Sequence, residues 1–505
     1  MPHNRHLICA FLFCPLVGFA QTDTLASKVL SAEQVQQDFI YLRKILTETH
    51  PALYRYSSKE LMTHKMDSLY STLNKPMSFY DFYLVLSDLI ANVRCAHTYI
   101  IPTRKFEPFY LKQIKTFPLM IFFTENKYYV TVNGSKDSSV KPGDVLLSIN
   151  GRSVTTIRAQ MQKLLWADGY NEMGKNKALD ESFFPLFYYL LIERPSTFSL
   201  ALKNQQGKEF GVTLPAQTFR NTVKNFKRNR VNKQLLHFAN RRNKLDQKKG
   251  WRLSIREDEK IGIMRINAFG GGNNEDDARK KMSDFLDVCM QQLKEKQVQD
   301  LVIDLRYNGG GWDIQGVELF TYLIDQPTRC YQRLHAITDS TEFLKLSDIS
   351  AEDRKLIRKR LQKETDGTFS VKEEFSAQLR LQQPKPNRFT GNVYILANRG
   401  SGSTTSEFLA YTKSNKRATI IGEECNGAYE GGNGGSFLHF DLPQSKISFG
   451  TPLIYYDNAV TPVEQTGRGT LPDYPIEFKV EDLLIGEDTQ LNFALELIRK
   501  KRDKK

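Results

Sequence analysis

The stretch Asn398–Tyr411, NRGSGSTTSEFLAY, gathers hydroxyls and glycines where a nucleophile could be displayed. It follows the apolar run Val393–Ala397, which reads as a buried strand, and leads into Glu407–Tyr411, which reads as the start of a helix. A strand, a sharp turn and a helix project one side chain away from the backbone, and a hydroxyl is a weak nucleophile until it is presented to a base. Ser401, Ser403, Thr404 and Ser406 are the candidates, although the same residue types cap helices and Thr404 or Ser406 would suit that role. A second stretch, LVIDLRYNGGGWD (301–313), is an apolar strand that opens into Gly309, Gly310 and Gly311 before another helix. Glycines let a backbone approach a ligand closely, and a helix start leaves N–H groups free. Those are the parts of an oxyanion hole. The stretch lacks the GK[ST] ending of a phosphate loop and is not GxGxxG, which counts against nucleotide binding. A third stretch, GEECNGAYEGGNGG (422–435), reads as a loop lining the same cleft.

A base is needed, and His97 in RCAHTYI lies where a helical pattern gives way to a strand pattern. Such junctions between elements favour active sites. His439 in FLHFDL reads as a packed strand residue, and His50, before Pro51, as the end of a helix. Asp304 and Arg306 read as braces for the glycine turn.

The elements that must position these residues follow from periodicity. Residues 1–20 have a short basic start, an apolar run from Leu7 to Phe19 and a small residue at Ala20, the pattern of a secretory leader. The run is too short to span a membrane as a stable helix. Residues 21–100 read as a helical domain, with helices at Val35–Thr49, Ser57–Leu73 and Ser78–Asn92 and an N-cap at Ser78. Residues 110–218 form a β-rich module with strands at Leu119–Phe123, Tyr128–Val132 and Val145–Ile149 and a helix at Thr156–Trp166. Residues 219–250 read as a basic linker. Residues 251–485 alternate strands and helices, which predicts an α/β core with a largely parallel sheet and a charged helical insertion at 340–385. Its strands are expected to continue through Thr419–Gly422 and Ile447–Tyr455. Residues 486–505 read as a C-terminal helix with a basic tail.

The chain has 505 residues, 40% hydrophobic and 25% charged, a globular composition without low-complexity bias. Its net charge of +14 is concentrated in Arg220–Lys249 and the closing RKKRDKK. Those cations are not interleaved with a stacking aromatic platform, so they read as a solvated linker and tail rather than a nucleic-acid surface. Cys95, Cys289, Cys330 and Cys425 are far apart and form no CxxC, which argues against a metal site. No cofactor is implied.

Together DLRYNGGG, NRGSGSTTSE, KRATIIGEECNG and GTLPDYPI resemble the serine peptidase family of C-terminal processing peptidases and the tricorn core. The run SSVKPGDVLLSINGRSV resembles a PDZ domain, a fold that binds extended peptides at a sheet edge or here serves as a spacer. The resemblance implies a multidomain α/β protein: an N-terminal helical domain, a PDZ-like module and a core of the ClpP and crotonase type. It also implies an exported peptidase acting on peptides or proteins. Family members with a Ser–Lys dyad carry their lysine where this sequence has Ala428, so the resemblance points to the Ser–His variant, with Ser403 as nucleophile and His97 as base. Counting back from Glu407 instead gives Thr404 as the nucleophile position. Gly310, Gly311 and Thr404 are the implied oxyanion donors, and Glu464 resembles the family's distal glutamate. The alternative is an inactive protein that binds peptides or apolar ligands on the same scaffold.

Overall fold

The computed structural model describes residues 25–180, 183–233 and 250–503; the expected leader and residues 234–249 of the basic linker lie outside them. The expected helical region holds α1 (Ala32–Thr49), α2 (Lys59–Ser71) and α3 (Phe79–Val93). Ser31, Ser58 and Ser78 cap them by accepting a backbone N–H from three residues on. Helix α3 is apolar nearly all round and buries Phe82, Leu86, Leu89 and Ile90 completely; each such side chain contributes about 1.5–3 kcal/mol. Asp38 of α1 is buried and accepts the backbone N–H groups of Gln444 and Ser445 at 2.8 and 2.7 Å, tying the helices to the far end of the core.

After α3 the chain crosses to the core. Strand β1 (Tyr99–Ile101) comes two residues after His97. The middle module follows, with β2 (Leu119–Thr124), β3 (Lys127–Asn133), β4 (Val145–Ile149), α4 (Val154–Leu164), α5 (Glu172–Ala178), α6 (Phe183–Leu191), β5 (Thr197–Lys203) and β6 (Glu209–Pro215). Its sheet is antiparallel in the order β6–β5–β4–β3–β2. Part of the expected linker is folded: α7 (Phe219–Arg228) lies on the module, with buried Thr222 packed where Gly134 leaves no room for a Cβ and Asn225 donating to the Gly134 carbonyl.

The core has two sheets. The first runs β7 (Trp251–Arg256), β8 (Ile261–Ile266), β9 (Asp300–Asp304), β13 (Asn392–Ala397), β14 (Thr419–Gly422), β17 (Tyr474–Pro475). All pairs are parallel except β7 with β8, as the alternating pattern predicts. Helices α8 (Glu275–Glu295), α9 (Asp313–Thr321), α11 (Thr404–Ser414) and α12 (Thr489–Arg502) accompany it. The second sheet departs from expectation. It runs β11 (Leu361–Lys363), β12 (Phe369–Val371), β10 (Tyr331–Ala336), β16 (Ser448–Asn458), β15 (Gly431–Asp441), with β1 also paired to β16. Residues 448–458 therefore leave the parallel sheet, because β15 and β16 form a long antiparallel hairpin. The insertion supplies α10 (Ala351–Arg360) but also two strands of this sheet, and the expected 422–435 loop is strand from Gly431.

Among the described residues no helix is long and apolar enough to cross a membrane, and no cluster of three His, Cys, Asp or Glu is placed to hold a metal. The four cysteines in those residues are buried free thiols.

Candidate active site

Strands β9 and β13 are neighbours in the parallel sheet, and the turns that leave their C-terminal ends meet. Asn398 Oδ1 accepts the N–H groups of Tyr307 and Gly400, both at 3.0 Å, and Gly402 N–H donates to the Asn308 carbonyl at 3.0 Å. A Cβ on Gly310 would lie 2.6 Å from Ser403 Cβ, so only glycine lets the two turns close.

The five hydroxyls of the turn have different fates, that of Thr405 being buried with no hydrogen-bond partner among the described residues. Ser401 Oγ accepts the Asn398 N–H and donates to the Leu305 carbonyl at 2.9 Å. Thr404 Oγ1 donates to the Gly311 carbonyl at 3.0 Å, and Ser406 Oγ to the Ser401 carbonyl at 3.2 Å. All three are buried. Ser403 is half-buried, and its hydroxyl takes part in no hydrogen bond among the described residues. It occupies the N-cap position of α11 without capping it, at φ 54° and ψ −132°, a conformation that L-residues rarely adopt. Strain of this kind persists only where the surrounding structure enforces it.

The expected oxyanion donors divide. Gly310 N–H is committed to Asn308 Oδ1 at 2.9 Å, closing a local turn, so it is not a free donor. The N–H groups of Gly311 and Thr404 have no acceptor among the described residues. Gly311 stands at φ 143° with its backbone against Phe269, where a Cβ would come within 1.6 Å of the Phe269 carbonyl oxygen. Arg306 holds the base of this turn: it donates to Asp304 through Nε and Nη2, both at 2.8 Å, and to Asp488 through Nη1 and Nη2 at 2.6 and 2.7 Å. Burial pushes Asp304 up, but Arg306 and Arg265 outweigh it and hold the carboxyl well below the usual range. Asp304 and Arg306 are braces, as the sequence suggests.

His97 reaches the core because Arg94 ends α3 in the left-handed region (φ 56°) and β1 then pairs with β16, Tyr99 opposite Gly450. The imidazole is half-buried, 5.5 Å from the ring of Phe437 on β15, with Nδ1 buried and without a partner among the described residues. Burial lowers its pKa, and Asp168 raises it in opposition. A neutral imidazole at pH 7 is the form a base needs.

Asp168 was not visible as a site residue in the sequence, where an aspartate before Gly169 reads as an ordinary turn. It is 5% exposed, and Oδ1 accepts the N–H of Ala96, next to His97, at 2.7 Å. Ala428 turns its backbone N–H to the same carboxylate. Asp168 Oδ2 lies 3.7 Å from where a Cβ on Gly427 or Gly432 would sit, and Gly427 packs on Ser406 of α11. Asn426 N–H donates to the Ser401 carbonyl at 2.7 Å. The His97 segment, Asp168, residues 426–428 and the turn that carries Ser403 are thus contiguous. Glu464 is exposed and makes no hydrogen bond or ion pair among the described residues. The carboxylate facing His97 comes from the middle module instead. His439 pairs with Asp348 at 2.9 Å on the second sheet. His50 is buried at the end of α1, its pKa pushed down to about 3 by burial.

One turn into α11, Glu407 accepts the Tyr331 hydroxyl at 2.6 Å. Burial, with Asp313 nearby, raises its pKa from 4.5 to about 8. The folded state therefore keeps a proton that the unfolded chain releases, and this contribution is full below about pH 4.5 and is lost as pH rises towards 8. The melting temperature of Glu407→Gln is expected to fall by several degrees less than that of wild type between pH 5 and pH 9, of the order expected for ~2 kcal/mol in a large domain. Equal declines in a thermal-melt series would contradict the burial argument.

Residues 260–476 match the family described as peptidase family S41. Among solved structures, mature CPAF is 14% identical, with 92% of this chain and 96% of that one covered and a TM-score of 0.59. Mature CPAF complexed with lactacystin is 14% identical, with 93% and 98% covered and a TM-score of 0.58. A putative peptidase from Parabacteroides merdae is 15% identical over 93% and 97%, at a TM-score of 0.44. No curated protein matches the sequence. At these identities the likeness to CPAF is one of fold.

Proposed function

Residues 260–476 belong to peptidase family S41, which makes the chain a serine-type peptidase, and we propose that it cuts peptide bonds as an endopeptidase with Ser403 as nucleophile and His97 as base. The observation that carries this is the accessible, unspent hydroxyl: of the five in the turn, those of Ser401, Thr404 and Ser406 are buried in hydrogen bonds, that of Thr405 is fully buried, and among the described residues Ser403 alone is both unbonded and partly exposed. In the first step Ser403 Oγ attacks the substrate carbonyl carbon while His97 takes its proton. The electron pair moved onto the carbonyl oxygen is received by the N–H groups of Gly311 and Thr404, at the positive end of α11. The C–N bond then breaks, and His97 gives its proton to the departing amine. Water, deprotonated by His97, attacks the acyl-enzyme and releases Ser403.

The substrate is a peptide or protein. The module at 110–218 is PDZ-like on the resemblance of its KPGD run, the core is of the ClpP and crotonase type, and the leader at 1–20 sends the protein to the periplasm or outside the cell. A fluorophosphonate probe should form an adduct that peptide mass mapping assigns to Ser403, and His97→Ala should prevent it. An adduct on Ser401 or Ser406 would move the nucleophile. Absence of any adduct would favour the inactive peptide- or apolar-ligand-binding alternative.

A further inference from the structure

We propose that Asp168 is the positioning residue of the site: it orients the His97 ring and stabilises the imidazolium formed when Ser403 loses its proton. This rests on the reading of Ser403 and His97 above and adds the group that reading lacks, a carboxylate for the base.

Two observations carry it. Asp168 is fastened to both sides of the cleft. Its Oδ1 accepts the N–H of Ala96 at 2.7 Å, beside the base, and the backbone of Ala428 holds the same carboxylate from the core. The residues after it are fixed as well. Gly169 N–H donates to the Arg94 carbonyl at 2.9 Å, Tyr170 N–H to Gly467 at 2.8 Å, and Asn171 Nδ2 to the buried Cys425 carbonyl at 2.6 Å. The second observation is the polar atom left over. Nδ1 of His97 is buried with no partner among the described residues, an arrangement that costs free energy unless it is used. Catalytic hydrogen bonds are often open at rest and close as charge develops, and a carboxylate beside a buried imidazole provides that closure.

The other ionisable groups facing the pair do not supply the charge. Burial pushes Cys95 up to about 12 and raises the hydroxyls of Tyr56 and Tyr455 further above their ordinary value. Glu407, which Asp168 also reaches, holds its proton to about pH 8. Burial leaves Asp168 raised as well, opposed by His97 and by the two backbone N–H groups that stabilise its charged form.

The test uses the full chain and the rate of fluorophosphonate labelling at Ser403 against pH. Asp168→Asn should slow labelling by about 10²–10⁴-fold. Because Asp168 raises the pKa of His97, its loss should also move the acid limb of the profile to lower pH. Asp168→Glu should recover part of the rate and return the limb towards wild type. A merely structural role would slow labelling without moving the limb, and that result, or a wild-type rate in Asp168→Asn, overturns the proposal. If Asp168→Asn does not fold, Asp168→Ser, with space for a water between the two amides, carries the same two readouts. Wild-type labelling away from Ser403 would instead overturn the functional reading, so the two failures are distinguishable.

Discussion

Ser403→Gly is expected to end turnover and to make the protein more stable. On the proposed reading Ser403 is a nucleophile that works as a unit with its base, and losing such a residue costs on the order of 10⁶-fold in turnover. The stability gain comes from the backbone. Ser403 is held at φ 54° and ψ −132°, and its side chain earns no hydrogen bond in return. A non-glycine residue in such a region costs about 1–3 kcal/mol. Glycine adopts it freely but adds roughly 0.5–1 kcal/mol of entropy to the unfolded chain. The balance favours the glycine variant by about 1 kcal/mol. Ser403→Ala separates the two effects: it should lose the same turnover and keep wild-type stability, since it retains the Cβ. Urea titration of the three proteins, alongside hydrolysis of a fluorogenic peptide mixture, is the measurement. A glycine variant less stable than wild type would show that the turn stores no strain, and turnover surviving in either variant would remove Ser403 from the chemistry.

The second large effect is expected at Arg399, four residues before Ser403 in the same turn. Its guanidinium is 4% exposed and meets two buried carboxylates. It donates to Glu423 at the end of β14, to Asp180 at 3.0 Å and to the Phe123 carbonyl of β2 at 2.8 Å, and it lies over the ring of Phe122. Asp180 in turn accepts the Phe123 N–H at 3.2 Å. The nucleophile turn is therefore bolted to the edge strand of the middle module. Arg399→Met keeps much of the volume and leaves Asp180 and Glu423 facing each other without their cation. Breaking a buried pair from one side costs about 3–5 kcal/mol, because the charge left behind is uncompensated. The denaturation midpoint should drop accordingly, and labelling of Ser403 should fall even where the protein remains folded. A stability within 1 kcal/mol of wild type, roughly the value of an exposed pair, would show that the carboxylates find other partners. The triple variant Arg399→Met, Asp180→Asn, Glu423→Gln should recover part of the loss, since it removes the orphaned charges with the cation.

Local signals carried much of the architecture. Helical spacing located α1 to α3, with a serine cap read at Ser78, and apolar runs between glycine-rich turns located β9 and β13 and the helices that follow them. The strand–turn–helix around Asn398–Tyr411 and the glycines after Asp304 marked the site, because turn chemistry and period are properties of neighbouring residues. The sequence by itself thus determined that a hydroxyl-rich turn and a glycine turn would leave one parallel sheet close together.

What it left open were choices made across long separations. Ser401, Ser403, Thr404 and Ser406 look alike in the chain; the Leu305 carbonyl, 96 positions from Ser401, and the Gly311 carbonyl, 93 from Thr404, take two of them out of reach, burial against the Ser401 carbonyl takes Ser406, and Ser403 is left. The residues of β16 carry the apolar pattern of a buried parallel strand, yet a hairpin with β15 draws them into a second sheet, and that sheet brings β1 and His97 to the core. Glu464 has a suggestive place in the sequence and an exposed one in the fold, while Asp168, with nothing local to mark it, ends beside the His97 segment. Period and propensity act over a few residues, whereas the partner of a hydrogen bond or a buried charge is set by whichever distant segment the packing delivers, and only the folded chain makes that delivery.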